Sequence, residues 1–243
     1  MNDTSAALPL TDVRKIYRSG DTDIVALDHA TLTVSPGEIV ALLGPSGSGK
    51  TTLLSIAGGL LSATEGSVVV GGNDISGLSP KELTAFRRDN VGFVFQSVNL
   101  VPFLNAEENL LVVDELGGGK LGKQAKTRAR ALLDELGLGH RTKNRPGQLS
   151  GGERQSVAIG RALFNSPALV LFDEPTSALD THIGEQVMEL IQTEMKSRNT
   201  AAVIVTHDTR MTHYADRTVR IIDGRLDAGL VDEVTRLLAT VPQ

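Results

Sequence analysis

The chain has no cysteine and no tryptophan, and only two tyrosines and six phenylalanines among 243 residues. Without thiols, disulfides, thiolate nucleophiles and Cys-ligated zinc are all excluded, and the composition fits a reducing compartment. A basic surplus is missing too. Formal net charge is −5, which argues against a broad electrostatic grip on nucleic acid. Long apolar runs are also absent: the longest are IVALL at 39–43, ALVLF at 168–172 and AAVIV at 201–205. These fall far below the roughly 18 residues that a membrane-spanning helix needs. The opening residues MNDTSAALPLTDVRK carry neither the basic start nor the apolar stretch of a secretory signal. Any membrane role is expected to run through a partner.

What is present is a core-forming composition, 40% hydrophobic, with room for one large domain or a domain carrying an inserted lobe. The three apolar runs are β-branched or leucine-rich and bounded by Gly, Pro or Asp, which reads as strands buried on both faces of a parallel sheet. Helical patterns lie between them. TTLLSIAGGLL begins like a helix. QAKTRARALLDELGL places Ala131, Leu132, Leu133 and Leu136 on one stripe and ends at Gly137, a C-cap residue. IGEQVMELIQTEMK repeats the pattern with Val187, Leu190, Ile191 and Met195, and GLVDEVTRLLATV does so near the end of the chain. VALDHATLTV and GSVVVGG alternate or read as strands, with SPGE at 35–38 as a turn, so a small antiparallel sheet is expected beside the parallel one. Residues from about 97 to 160 read as a helical insertion.

IVALLGPSGSGKTT is strand, glycine loop and helix, and fits G-x-x-x-x-G-K-[ST] through Gly44, Gly49, Lys50 and Thr51. Glycines let the backbone wrap phosphates and the helix N-terminus adds a favourable dipole. Lys50 reaches the β- and γ-phosphates, and the Thr51 hydroxyl is placed for Mg²⁺. GGGKLGK at 117–123 matches the first part of the same pattern. Gln124 follows it where a hydroxyl is required, and Asp114 and Glu115 precede it, so a surface loop is expected there.

ALVLFDEP sets Asp173 and Glu174 at the carboxyl end of a buried strand, the edge where open α/β sheets bind ligands. Asp173 suits Mg²⁺ held through water, and Glu174 suits a proton acceptor for an attacking water. AAVIVTHD ends in the same way at His207, a candidate γ-phosphate contact. A second glycine turn, LSGGERQ at 149–155, offers another anion-facing stretch about a hundred residues downstream of the first.

GPSGSGKT, VFQ ending at Gln96, LSGGERQ, LVLFDEP, SALD at 177–180 and THD around His207 occur in that order. The set resembles the nucleotide-binding subunit of ATP-binding-cassette (ABC) transporters over roughly residues 10–228. The resemblance implies an α/β P-loop NTPase core with a mostly parallel sheet, a small flanking antiparallel β-subdomain and an inserted helical subdomain. The implied single domain divides into core at about 10–96 and 161–228, helical subdomain at 97–160 and a C-terminal helix at 229–243. It implies an ATPase using ATP and Mg²⁺. Residues Gly44, Pro45, Ser46, Gly47, Ser48, Gly49, Lys50, Thr51 and Thr52 would hold the phosphates, and Tyr17 would stack on adenine. Glu174, His207 and Gln96 would serve catalysis, with Thr51, Gln96 and Asp173 at the metal. It further implies an ATP-dependent head-to-tail homodimer, in which Ser150, Gly151, Gly152, Glu153 and Asp180 complete the partner's site, and no nucleic-acid partner.

Several phrases, among them GDTDIVALDHATLTV and GFVFQSVNLVPFLNAEENL, look like the lipoprotein-release, macrolide-export and cell-division branch. That branch implies a four-helix membrane permease with a large external domain and a peripheral position on the cytoplasmic face of the inner membrane. The expected work is export or extraction of a lipoprotein, lipid, peptide or drug-like cargo. The alternative is a mechanical signal to cell-wall enzymes, and a soluble ABC ATPase ranks lower. Val98, Leu100, Val101, Phe103 and Leu104 are candidates for the groove that receives a permease helix. Ser156 and Gly160 stand where Arg and Ala are commoner in the family.

Overall fold

The computed structural model describes residues 6–20, 22–116 and 122–227. Both the 117–121 part of the GGGKLGK loop and the expected C-terminal helix at 229–243 lie outside them. The main sheet has six strands in the order β10-β9-β3-β8-β7-β6. They are β3 (Ile39–Leu43), β6 (Val91–Val94), β7 (Leu169–Asp173), β8 (Ala201–Val205), β9 (Arg217–Ile222) and β10 (Arg225–Asp227). Every neighbouring pair is parallel except β10 against β9. The three apolar runs are β3, β7 and β8, as their composition predicts.

Alternate residues of these strands feed two cores. Val40, Leu42, Leu171 and Val203 join one cluster, while Ile39, Val170, Phe172 and Ala202 join the other. This period-2 division is why the runs are apolar without a break. The first cluster is covered by helix α1 (Lys50–Ala57) and by a four-stranded antiparallel sheet of order β2-β1-β4-β5. Its strands are β1 (Leu8–Ser19), β2 (Thr22–Val34), β4 (Glu65–Val70) and β5 (Asn73–Asp74). Helix α2 (Pro80–Asn90) precedes β6 and starts with a capping box in which Ser79 and Glu82 exchange hydrogen bonds. The second cluster is covered by α6 (Thr181–Arg198) and by the helical subdomain, α3 (Ala106–Leu116), α4 (Lys123–Glu135) and α5 (Gly151–Leu163).

The α4 stripe differs by one residue from its sequence reading. Ala129, Leu132, Leu133 and Leu136 are buried, while Ala131 faces solvent. Gly137 follows with φ 73°, the left-handed turn that stops the helix. Inside the helical subdomain, Glu107 is buried and its Oε2 accepts from Arg130 at 3.1 Å and Lys143 at 2.7 Å. Burial pushes the Glu107 carboxyl up, but the two cations outweigh it and hold it below the usual range. Asn109 is fully buried. Its Oδ1 accepts from the Val101 N–H at 2.8 Å, and its Nδ2 donates to the carbonyls of Val101, Leu104 and Asn105.

Helix α5 lies directly on β6. A Cβ at Gly92 would stand 2.6 Å from the Ala162 carbonyl oxygen, a backbone atom that cannot swing aside. Gly92→Ala is therefore expected to cost about 1–3 kcal/mol of stability through overpacking, read as a lower urea midpoint with an unchanged slope. A wild-type midpoint would mean that α5 can lift off the strand freely.

Candidate active site

Because β3, β8, β7 and β6 are parallel and adjacent, their carboxyl ends share one edge. Register pairs Leu42 with Val205, Asp173 with Val205 and Val94 with Phe172. The glycine loop after β3, Thr206 and His207 after β8, the Asp173–Glu174 pair at the end of β7, and Gln96 after β6 thus emerge together. A cavity of about 540 Å³ opens at this edge. Residues 44–52 except Ser48 line it, together with Asp173, Glu174, His207, Val205 and Ala26. Ser48 is 3% exposed, its hydroxyl turned into the protein without a hydrogen-bond partner.

Gly49 precedes α1 with φ 105°, and a Cβ there would meet the Ala26 carbonyl at 2.5 Å. Only glycine lets the loop close against β2 in this way. The Lys50 ammonium donates to the carbonyls of Gly44 and Pro45, each at 2.7 Å, which keeps it inside the loop. Ala26 escaped the sequence reading because a small apolar residue on a distant strand carries no chemical signal.

Glu174 has φ 49°, a left-handed conformation that is rare for a residue with a side chain. Its N–H donates to the Val205 carbonyl at 2.9 Å, and its own carbonyl accepts from Ser177 Oγ and the Ser177 N–H. The surroundings therefore hold a strained backbone at the residue with the proposed proton role, which is where such strain tends to collect. The His207 Nδ1 lies 3.1 Å from Glu174 Oε1. Burial pushes the Asp173 carboxyl up, and the neighbouring Glu174 charge adds to this against the pull of Lys50.

The other sequence candidates lie outside this cavity. Tyr17 is 39% exposed on β1, with the Lys15 ammonium 5.3 Å from its ring centroid. Gln96 is exposed. Ser150 caps α5 by accepting from the Glu153 N–H at 3.2 Å, while Glu153 accepts from the Ser150 N–H at 2.7 Å and from Arg141 at 2.8 Å. Glu153 is thus held within the cap. Ser150, Gly152, Glu153 and Ser156 line a different cavity with Ile183 and Gln186 of α6. Asp180 caps α6 through the Ile183 N–H at 3.0 Å and shares a further cavity with Glu174 and His207. At Gly160 a Cβ would approach the Leu136 side chain to 2.8 Å, so the glycine makes room for that leucine.

Residues 27–177 match the family model described as ABC transporter. The chain belongs to the ABC transporter family. It is 47% identical to the lipoprotein-releasing system ATP-binding protein LolD of Granulibacter bethesdensis, over 91% of this chain and 96% of that protein. It is 42% identical to the macrolide export ATP-binding/permease protein MacB of Syntrophobacter fumaroxidans, over 97% of this chain but 33% of that longer protein. Among solved structures, the ATP-binding cassette MJ0796, a dimer in a post-hydrolysis state bound to ADP and Pi, superposes with TM-score 0.80. That match has 38% identity and covers 90% of this chain and 96% of the other. This ABC protein is accordingly an ATPase subunit of the LolD/MacB type, with the parallel core, antiparallel β-subdomain and helical subdomain of the ABC ATPase fold.

The raised Asp173 pKa makes a stability prediction for this ABC subunit free of nucleotide and metal. An ionised carboxylate whose folded pKa is raised penalises the fold above that pKa, and the penalty vanishes as pH falls below the unfolded value. Asp173→Asn is therefore expected to raise the thermal midpoint by about 2–4 °C at neutral pH. The gain should shrink as the wild-type carboxyl protonates in acid. Equal midpoints at neutral pH would show that the pair carries no such strain.

Proposed function

We propose that two copies of this ABC ATPase pair head to tail, each closing its Ser150–Gly152 turn on the nucleotide held by the other's glycine loop. One observation carries this reading: within a single copy the two anion-facing stretches line separate cavities. The first N–H groups of α5, at Gly151 and Gly152, have no place in its internal hydrogen-bond ladder and suit an anion. Pairing the same two surfaces twice gives a closed two-fold dimer. The dimeric cassette MJ0796 supports it.

In such a site residues 44–52 wrap the phosphates, and Tyr17 supplies an adenine platform at the rim. Thr51, Asp173 through water, and Gln96 are the residues that would hold Mg²⁺. Thr51 and Asp173 share the cavity, and the strained Asp173–Glu174 pair suits a nearby cation. Among the described residues no cluster of three or more acidic or histidine side chains could hold a metal alone, which fits an ion that takes phosphate and water as its other ligands. Bound there, the ion would neutralise charge on the transferring phosphoryl group. Glu174 accepts a proton from the attacking water, His207 orients Glu174 and meets the γ-phosphate, and Asp180 faces the partner across the dimer.

The work done is energising a separate membrane permease, of the four-helix type with a large external domain, for release or export of a lipoprotein, lipid, peptide or drug-like cargo. Full-length similarity to LolD supports a separate permease. No helix among the described residues is long and apolar enough to cross a membrane, in keeping with a peripheral place at the cytoplasmic face. Phe103, 70% exposed beside the half-buried Leu104, is the apolar contact offered to the permease, whereas Val98 and Leu100 pack against the second hydrophobic cluster.

Glu174→Gln tests the site. Hydrolysis should fall by about 10²–10⁴, and ATP should shift the protein from monomer to dimer on size exclusion. Wild-type turnover, or a monomer in saturating ATP, would defeat the proposal.

A further inference from the structure

Arg161 is a half-buried cation held by backbone carbonyls. It sits in the last turn of α5, and among the described residues it has no carboxylate partner. Instead its Nη1 donates to the Asn99 carbonyl at 2.8 Å and its Nη2 to the Val98 carbonyl at 3.1 Å. Removing a guanidinium from water without a counter-charge is costly, and this one is spent on two consecutive carbonyls of the segment that leaves β6. Asn99 itself has φ 48°, so the backbone is bent to present both oxygens to one fork.

The place of those carbonyls gives the contact its meaning. β6 ends at Val94, fixed in the sheet beside Phe172. Gln96 follows two residues later, and two residues beyond it the chain is gripped by Arg161. Further on, Asn109 of α3 grips residues 101–105. Gln96 therefore lies on a short span between an anchor in the sheet and an anchor on α5. The other end of α5 is the Ser150–Gly152 turn, roughly 16 Å away along the helix. One helix thus carries the turn proposed to face a partner's nucleotide and the clamp that sets where Gln96 can go.

We propose that Arg161 is a positioning residue for hydrolysis: it transmits the placement of α5 to Gln96 through the Val98 and Asn99 carbonyls. The inference rests on the reading of Gln96 as a residue of the hydrolytic site. A planar fork can hold two carbonyls at once, whereas a lysine ammonium is a single point charge on a flexible stem. The two substitutions should therefore differ in degree.

The test is steady-state ATP hydrolysis by the full chain with Mg²⁺, using Arg161→Ala, Arg161→Lys and Gln96→Ala, alone and combined. Arg161→Ala should lower kcat by about ten-fold or more, as misplacement near a reaction centre does. KM should stay within about two-fold, and Arg161→Lys should fall between Arg161→Ala and the wild type. Amide exchange should quicken at residues 97–101. In the Gln96→Ala background the further loss from Arg161→Ala should shrink to under about two-fold, since residues acting as a unit are not additive. If Arg161→Ala does not fold, Arg161→Lys, which keeps stem and charge, carries the same comparison. Wild-type kcat in the Arg161 variants overturns the proposal, as does an undiminished loss on top of an impaired Gln96→Ala. Normal turnover by Gln96→Ala alone would instead remove the assignment of Gln96, and the coupling with it.

Discussion

The chemistry of this molecule depends on four parallel strands ending on one edge. Hydrogen bonding between β3, β8, β7 and β6 sets their stagger to within a residue. Because the strands are buried on both faces, a slip of one residue would send each side chain to the opposite core. The two hydrophobic clusters therefore lock the register, and the register brings the glycine loop, His207, Asp173 and Glu174 to one cavity, with Gln96 leaving the same edge outside it. Residues far apart in sequence become neighbours without any loop having to reach.

Around that fixed edge the parts are held with different firmness. Glu174 is pinned through its backbone by Val205 and Ser177. Lys50 is tethered to carbonyls of its own loop. Gln96 is exposed and, among the described residues, is held through its neighbours in the chain. Gln96 is thus less directly fastened than Glu174, whose backbone is tied to both Val205 and Ser177. Asp173, raised by burial and by Glu174, keeps local strain in the free subunit of the kind that a functional site trades against stability.

Much of this was legible in the sequence because the relevant signals are local. The runs at 39–43, 168–172 and 201–205 announce buried strands, and Gly44–Thr51 announces its loop, since each is a contiguous chemical pattern. β1 was not read as a strand because its bulges between Leu10 and Ile16 break the two-residue period. β6 is only four residues long and includes Gly92, too short for a periodic signal. The left-handed turn at Glu174 depends on a carbonyl from β8, and the Arg161 grip depends on acceptors 62 and 63 residues away. Contacts of that range leave no trace in composition. Ala131 and Ala129 are not told apart by composition because small residues fit either side of a helix, and it is Ala129 that joins the buried cluster.

The buried amide of Asn109 has an effect beyond its own pocket. By tying down Val101, Leu104 and Asn105 it turns the loop that bears Phe103 into a rigid knuckle. The phenyl ring itself is 70% exposed and keeps its own rotamer freedom, but the backbone that carries it is already held in place. A partner docking at the proposed contact would have to order the ring but little of the chain beneath it, which lowers the entropic cost of association.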